Sequence, residues 1–252
     1  MGIRCFHKCL LIVISFATCL PAFADDTEFR IREAQQSARI SLLTAERVLY
    51  AADQAIDAAA RIISTIDNER LIHEEIKRLA QGVPGVRALI VIGPDGRLKY
   101  DSYRYPVTDL SLSDRDYYRE AARRSGLAVG QTVVGRTSGL SFVPISKRSG
   151  DFTIAAIAGQ YSMVDIETSC ADCWAGMVRK DGELVAVFPP ESEFDQKIYD
   201  LIADEPGNSG TKILRQHQSI IVVAWARSLT FPIISFGIRG LPDTAHVEID
   251  VN

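Results

Sequence analysis

Apolar side chains recur at alternating steps of four and three residues along the N-terminal part of the chain. They are Ala38, Leu42, Ala45, Leu49, Ala52, Ile56, Ala59, Ile63 and Ile66. A 3.5-residue repeat without Pro or Gly predicts one long helix over residues 27–66. Leu43, Val48, Ala55 and Ile62 widen the apolar stripe, so we expect the helix to pack along its own folded body. Dimerisation through the same helix is an open alternative.

A shorter helix is predicted over residues 68–80, with Asp67 or Asn68 as its cap. Beyond Pro84 the apolar period falls to two, which predicts a strand at 87–92 and a returning strand at 97–102. The turn between them contains Asp95-Gly96, which suits a tight hairpin. A helix at 114–125 and strands near 132–135, 140–147 and 153–159 complete this block.

The same order of elements then recurs. A second hairpin turns at Asp181-Gly182, 86 residues after the first. It is followed by a predicted helix at 192–202 and strands near 212–217, 219–226 and 233–239. The repeat predicts an α+β fold with two similar modules in tandem, each an antiparallel sheet of about five strands with flanking helices.

The first 24 residues have the pattern of a secretory signal peptide. Arg4 and Lys8 precede an apolar run at 9–20, and Ala22-Phe23-Ala24 forms a small-x-small cleavage signal at Ala22 and Ala24. The run is shorter than the roughly 20 residues that span a bilayer. No later run of that length follows, so we expect a periplasmic or secreted protein. Anchoring through an uncleaved N-terminus or a lipid on Cys19 is the alternative.

Charge and cysteine content narrow the choice of function. Without residues 1–24, 26 basic side chains face 32 acidic ones, which gives no basic field for nucleic acid. Cys170 and Cys173 remain, and in an oxidising compartment they predict a local disulfide. A redox-active pair would need a following helix, whereas a strand is expected there. The four His residues show no metal-ligand spacing, and neither a metal nor a cofactor is predicted.

Three segments carry the candidate binding chemistry. Residues 112–119 read LSDRDYYR, residues 130–139 read GQTVVGRTSG, and residues 142–148 read FVPISKR. Together they resemble the ligand-binding half of the double Cache domain, a PAS-like sensor that bacterial receptors hold outside the membrane. The resemblance covers roughly residues 27–243.

The resemblance implies a domain plan. It divides the chain into a signal peptide (1–24), N-terminal helices (25–83), a membrane-distal-type Cache module (84–160), a connector (161–173), a membrane-proximal-type Cache module (174–242) and a tail (243–252). The distal module is expected to hold the ligand, and the proximal module to relay the resulting change toward the membrane. Family members commonly continue into a kinase, cyclase or chemotaxis output, so this chain is expected to signal through a separate membrane partner.

The resemblance also implies a set of pocket residues. Asp114, Arg115, Tyr117 and Tyr118 would come from the covering turn, and Arg136, Ser138, Ser146 and Lys147 from the strands. Arginine offers paired donors to a carboxylate, and Lys and Ser add further donors. A small carboxylate, such as an organic acid or an amino acid, is therefore the expected ligand.

Structural roles are the alternative for the same residues. Tyr118 would then belong to the core, Asp114 would cap a helix, and Arg115 would form a surface ion pair with Asp116 or Glu120.

Other functions are alternatives to a sensor. A non-binding interaction module or a receptor remnant would have the same fold. Gly207-Asn208-Ser209-Gly210 resembles the nucleophile segment of trypsin-like serine proteases, which makes a hydrolase using Ser209 a remote alternative. The only upstream His beyond residue 24 is His73, inside a helix beside Glu74 and Glu75, so no enzyme is expected. The hairpin-rich pattern also disfavours a transport-type solute receptor.

Overall fold

A computed structural model of the chain describes residues 21–166, 171–190, 192 and 194–242, without the side chains of 21–25. The helices are α1 (Pro21–Thr65), α2 (Glu69–Gly82), α3 (Asp116–Arg123) and α4 (Gln196–Asp204). The first group of strands is β1 (Val86–Ile92), β2 (Leu98–Asp101), β3 (Ala128–Val129), β4 (Val133–Val134), β5 (Ser141–Ser149) and β6 (Phe152–Gly159). The second group is β7 (Cys173–Arg179), β8 (Leu184–Phe188), β9 (Ser209–Gln216), β10 (Ser219–Arg227) and β11 (Ile233–Leu241).

The strands form two antiparallel sheets with the same internal order. The first sheet runs β2-β1-β6-β5-β3, with β4 also paired to β5, and the second runs β8-β7-β11-β10-β9. In each sheet the opening hairpin pairs its first strand with the last strand of the same block. This arrangement confirms the α+β class and the tandem sheets that the repeat predicts.

Helix α1 lies along both sheets. Near its N-terminal end Ala34 packs with Ile220 and Val222 of the second sheet, and further along Leu49 and Ile56 pack in the core that contains Leu89 of the first. Six residues of the predicted seam are at most 1% exposed: Ala38, Ala45, Leu49, Ala52, Ile56 and Ala59. The expectation that the helix packs along its own body is therefore confirmed.

The helix boundaries refine several expectations. Asn68, not Asp67, caps α2, because its side chain accepts a hydrogen bond from the Leu71 N–H at 3.0 Å. Helix α3 begins two residues later than expected, since Arg115 has an extended backbone, and Asp114 does not cap it. Helix α4 also begins late, at Gln196, with Asp195 as its cap. The two-residue strand β3 is not anticipated by the sequence pattern.

Several sequence-based expectations concern residues outside the described part. Residues 1–20, Cys170 and the tail at 243–252 lie outside the described residues, so signal-peptide cleavage and the Cys170–Cys173 disulfide stay predictions. Cys173 is buried and begins strand β7, as expected for a cysteine pair that a strand follows. Among the described residues, no helix combines the length and apolarity needed to cross a bilayer.

A cationic contact joins the first sheet to α1. Lys147 Nζ on β5 lies 2.9 Å from Asp53 Oδ1 and 2.9 and 3.0 Å from the two carboxylate oxygens of Asp57. Burial opposes the charge on Lys147, but the hydrogen bonds that its ammonium donates to Asp57 and Asp53 raise its pKa above the ordinary value overall. The ammonium group therefore stays charged and holds the sheet against the helix.

Replacing this cation should destabilise the fold. In Lys147→Met, two partly buried carboxylates lose their shared partner, and the free energy of unfolding should fall by about 1–2 kcal/mol. Urea unfolding followed by circular dichroism measures the change. Adding Asp53→Asn and Asp57→Asn should recover part of the loss.

Lys99→Met is the matched control. Lys99 pairs with Asp95 where both side chains are nearly half exposed, so its loss should leave stability unchanged. An equal effect of the two substitutions would show that the Lys147 cluster contributes nothing special.

Candidate ligand-binding site

A cavity of about 190 Å³ lies on the face of the first sheet that is turned away from α1. Successive side chains of a strand point to opposite faces, so Ala88, Ile90 and Ile157 reach the cavity while Leu89 and Val91 reach the helices. Leu98, Leu110, Leu112 and Phe142 complete an apolar lining. The sheet is therefore a hydrophobic floor for whatever occupies the space.

Three guanidinium groups surround this apolar space. Arg87 Nη1 donates to the Ser141 carbonyl at 3.0 Å, and Arg115 Nη2 donates to the Val134 carbonyl at 3.3 Å. Arg136 Nη1 donates to the Ser111 carbonyl at 2.9 Å. Each arginine is thus held by a backbone oxygen and keeps further N–H donors.

Arg115 is the least exposed of the three arginines. It occupies the position immediately before α3, and its Nε is shielded from solvent with no hydrogen-bond partner among the described residues. A shielded donor of this kind normally finds a partner, because burying it alone is unfavourable. An anionic ligand oxygen would supply one.

Arg136 projects from a tight loop that borders the cavity. The Gly135 N–H donates to the Leu140 carbonyl at 3.0 Å, and Gly139 closes the loop with a φ of +65°, which a glycine adopts without strain. Arg136 also pairs with Asp114, and this contact holds the pKa of the Asp114 carboxyl below its usual range. The ion pair joins the loop to the segment that precedes α3.

Tyr117 and Asp101 add two ionisable groups whose pKa values are shifted by burial. Tyr117 is 4% exposed, and burial raises the pKa of its phenol to about 12, so at neutral pH it remains a neutral donor. Burial also raises the pKa of the Asp101 carboxyl, although hydrogen bonds from the Tyr103 and Arg104 backbones oppose this. The site is therefore mainly cationic, with one acidic group.

Four of the eight residues expected in a pocket line this cavity. They are Arg115, Tyr117, Arg136 and Ser138. Asp114 lies beside them through its contact with Arg136. Surface ion pairing of Arg115 with Asp116 or Glu120, the structural alternative, is not found.

The structure places the other three residues elsewhere. Tyr118 donates from its hydroxyl to the Pro94 carbonyl at 3.0 Å, outside the cavity. Ser146 is fully buried and donates to the Tyr117 carbonyl at 2.9 Å, so it supports α3 from below. Lys147 is the next residue of the same strand, so it points to the opposite face and reaches α1.

Two charged lining residues were missed from the sequence. Arg87 stands at the start of β1, where a register shift between Val86 and Ala88 disturbs the alternation that would assign it to the helix face. Asp101 ends β2 and is brought to the cavity by the pairing of Ile90 with it. Only the register of the strands could have revealed either position.

Comparisons with known proteins support the fold. No protein-family model matches the sequence, and a search of curated proteins finds no match. The structure matches the extracellular domain of rpHK1S-Z16, a protein assigned as a histidine kinase, with a TM-score of 0.67 at 18% identity, covering 87% of this chain and 96% of that one.

Two chemoreceptor domains match as well. The ligand-binding domain of Pseudomonas fluorescens CtaA with L-serine has a TM-score of 0.61 at 12% identity, covering 86% of this chain and 97% of that one. The sensory domain of Campylobacter jejuni Tlp3 with isoleucine has a TM-score of 0.57 at 10% identity, covering 89% and 98%. The chain therefore has the double Cache-like fold of these extracellular sensory domains, as the sequence resemblance implies.

The raised pKa of Asp101 predicts a pH-dependent substitution effect. A carboxyl whose pKa is higher in the folded state makes the folded state bind more protons, so stability falls as the pH rises above the ordinary value of 3.8. Asp101→Asn keeps an acceptor for the Tyr103 N–H and removes this penalty. Its melting temperature should exceed that of the parent at pH 7, and the gain should shrink as the pH approaches 3.8.

Asp109→Asn is the control for that measurement. The Asp109 side chain is 79% exposed, so its replacement should give no gain that depends on pH in this way. If Asp101→Asn is no more stable than the parent at any pH, burial does not penalise this carboxylate.

Proposed function

We propose that this chain is a sensor domain that binds a small carboxylate in the cavity of its first module. The observation that carries the proposal is the pairing of an apolar floor with three arginines at one site. Small-molecule sites characteristically combine a hydrophobic lining with a few oriented polar groups. The chain as a whole has more acidic than basic residues, so three arginines at one site differ from its overall charge balance.

The arginines favour a carboxylate because they retain unused donors. Arg87 and Arg115 are held by carbonyl oxygens, and within the described ranges neither forms an ion pair with an acidic side chain. A carboxylate matches the paired donors of a guanidinium and gains charge-assisted hydrogen bonds there. The neutral Tyr117 phenol supplies a further donor.

The size and the single acid suggest the rest of the ligand. A cavity of about 190 Å³ suits a molecule of amino-acid size with an aliphatic body. Asp101 could accept an ammonium group, which would make a zwitterion acceptable as well as a simple acid. The chemoreceptor domains cited above were solved with amino acids bound, and this supports the same size class here.

Signalling would then pass to another protein. We propose export through residues 1–24 and action on a membrane-bound kinase, cyclase or chemoreceptor, as for the receptors from which the similar domains come. Ligand binding would bias the equilibrium between conformations of the domain, which requires no catalysis.

The hydrolase alternative gains no support from the geometry. Ser209 begins strand β9 and pairs with Ala226 in the second sheet. His73 lies on α2, where its Nδ1 is 2.8 Å from the Asp101 carbonyl beside the first sheet. The two residues that a protease mechanism would join therefore belong to different modules.

Three probes that share one aliphatic body test the proposal. L-leucine carries both charges, 4-methylpentanoate carries only the carboxylate, and 3-methylbutylamine carries only the ammonium. We expect at least one of the two carboxylates to raise the melting temperature in a dose-dependent way. At 100 times its dissociation constant, a ligand adds about 2.7 kcal/mol to the free energy of unfolding. The amine should have no effect.

Arg115→Ala and Arg123→Ala serve as the matched pair. Loss of a charge-assisted hydrogen bond at Arg115 should weaken binding by roughly 10- to 100-fold. Arg123 is exposed at the end of the same helix and does not line the cavity, so its replacement should leave binding unchanged. Stabilisation by the amine alone, or by none of the three probes, would contradict a carboxylate site for this size class.

Self-association through α1 is a further part of the proposal. On α1, Ile40, Leu43 and Tyr50 are 39%, 58% and 49% exposed, although the Tyr50 ring also packs edge-on against Phe231 at 4.8 Å. Their spacing of three and seven residues places them on one stripe of the helix. A second copy of the chain would cover them.

Leu43→Glu should weaken such a dimer. We expect sedimentation velocity to show a concentration-dependent dimer for the parent and mainly monomer for the variant. Leu71→Glu, at a 43% exposed position on α2, should behave like the parent. A parent that stays monomeric at all concentrations would rule out this interface in solution.

A further inference from the structure

Helix α3, which forms the outer wall of the cavity through Tyr117, is attached to the second sheet by an ion pair. Arg179, the last residue of β7, places its Nη1 2.8 Å from Glu120 Oε1 on α3. The same guanidinium pairs with Asp181 in the following turn. The Arg179 side chain is only 13% exposed and that of Glu120 21%, so the contact is largely shielded from water.

Both carboxylates keep Arg179 charged in this position. The hydrogen bond to Asp181, followed by the one to Glu120, raises its pKa despite burial. Because a shielded charge is costly to leave unpaired, Arg179 resists separation from either partner. Glu120 lies one helical turn beyond Tyr117, which lines the cavity.

Two further contacts attach the neighbouring segment to the same hairpin. Gln131 Nε2 donates to the Glu183 carboxylate, and Thr132 Oγ1 donates to the Val185 carbonyl at 2.6 Å. Two residues later, Val134 supplies the carbonyl that accepts from Arg115. Arg115 is therefore connected to the β7–β8 hairpin in two ways. One connection runs through α3 and Glu120, and the other runs through the segment that ends in the Val134 carbonyl.

The inner wall of the cavity has a different attachment. Strand β5 carries Phe142 into the cavity and fixes Lys147 to Asp53 and Asp57 of α1. Its Ser146 holds the Tyr117 carbonyl from below at 2.9 Å. The floor thus follows α1, and the covering helix α3 is shared between the floor and the second module.

We propose that Arg179 is a positioning residue of the cavity, which holds α3 from the second module so that α3 moves together with the β7–β8 hairpin. The proposal deepens the proposed function and rests on it only for the identity of the cavity as a ligand site. A ligand that draws Arg115 and Tyr117 toward the floor would then shift the hairpin relative to α1.

Hydrogen exchange followed by mass spectrometry tests this coupling without any ligand. In Arg179→Gln and in Glu120→Gln, amides of α3 and of residues 130–134 should exchange faster, on the order of tenfold, as expected when a coupled pair of this kind is lost. The double variant should exchange no faster than the more affected single variant. Exchange in β10 and β11 should stay at the parent level.

Two control variants separate positioning from general destabilisation. Asp181→Asn removes only the partner of Arg179 within its own hairpin, so α3 should exchange nearly as in the parent. Arg78→Gln removes a surface pair with Glu75 on α2 and should leave α3 unchanged.

Some results would overturn the proposal. They are unchanged α3 exchange in Arg179→Gln, additive effects in the double variant, or faster exchange throughout β10 and β11. A failed leucine panel with faster α3 exchange would reject the carboxylate site and leave the coupling intact. Binding of a carboxylate probe together with unchanged α3 exchange would support the carboxylate site and reject the coupling.

Discussion

The burial of one helix against two sheets is the constraint on which the rest of the structure depends. Helix α1 can approach both sheets because its inner face is built mainly from Ala and Ser. At Gly237 of β11 any side chain would collide with the Ala34 carbonyl. Small residues give little burial each, so the contact relies on its length and on polar contacts such as that of Ser228 with Glu46 at 2.7 Å. The relative placement of the two modules follows from this shared helix.

Because of its pleat, the first sheet packs against the helices with one face and borders the cavity with the other. On β1, β5 and β6, every second residue packs toward α1 and α2, and the residues between them face the cavity side. Ser146 and Lys147 show the consequence, because adjacent residues of one strand hold α3 on one face and α1 on the other. A change on the cavity face therefore acts on the same strand that is fixed to the helix.

The fold could be predicted from the sequence further than the site could. The 3.5-residue repeat identified α1, and the two Asp-Gly hairpins identified the tandem sheets, because both signals are local. Arg115, Tyr117, Arg136 and Ser138, which the resemblance implied as pocket residues, line one cavity, although their role in binding stays a prediction. Alternation alone should have excluded either Ser146 or Lys147 from the pocket. Arg87 and Asp101 depend on strand register, and the Arg179–Glu120 contact joins residues 59 positions apart, which no local pattern encodes.

The distribution of ion pairs supports the proposal that the cavity, rather than another part of the surface, binds the ligand. Lys147 and Arg179 each contact two carboxylates, so they are internally neutralised and hold elements together. Arg136 has one carboxylate partner, Asp114. Arg87 and Arg115 contact backbone oxygens, and Arg115 keeps a shielded donor without a partner in the described part of the chain. In a protein with more acids than bases, cations left without carboxylates beside an apolar cavity form an environment that a small external carboxylate would complete.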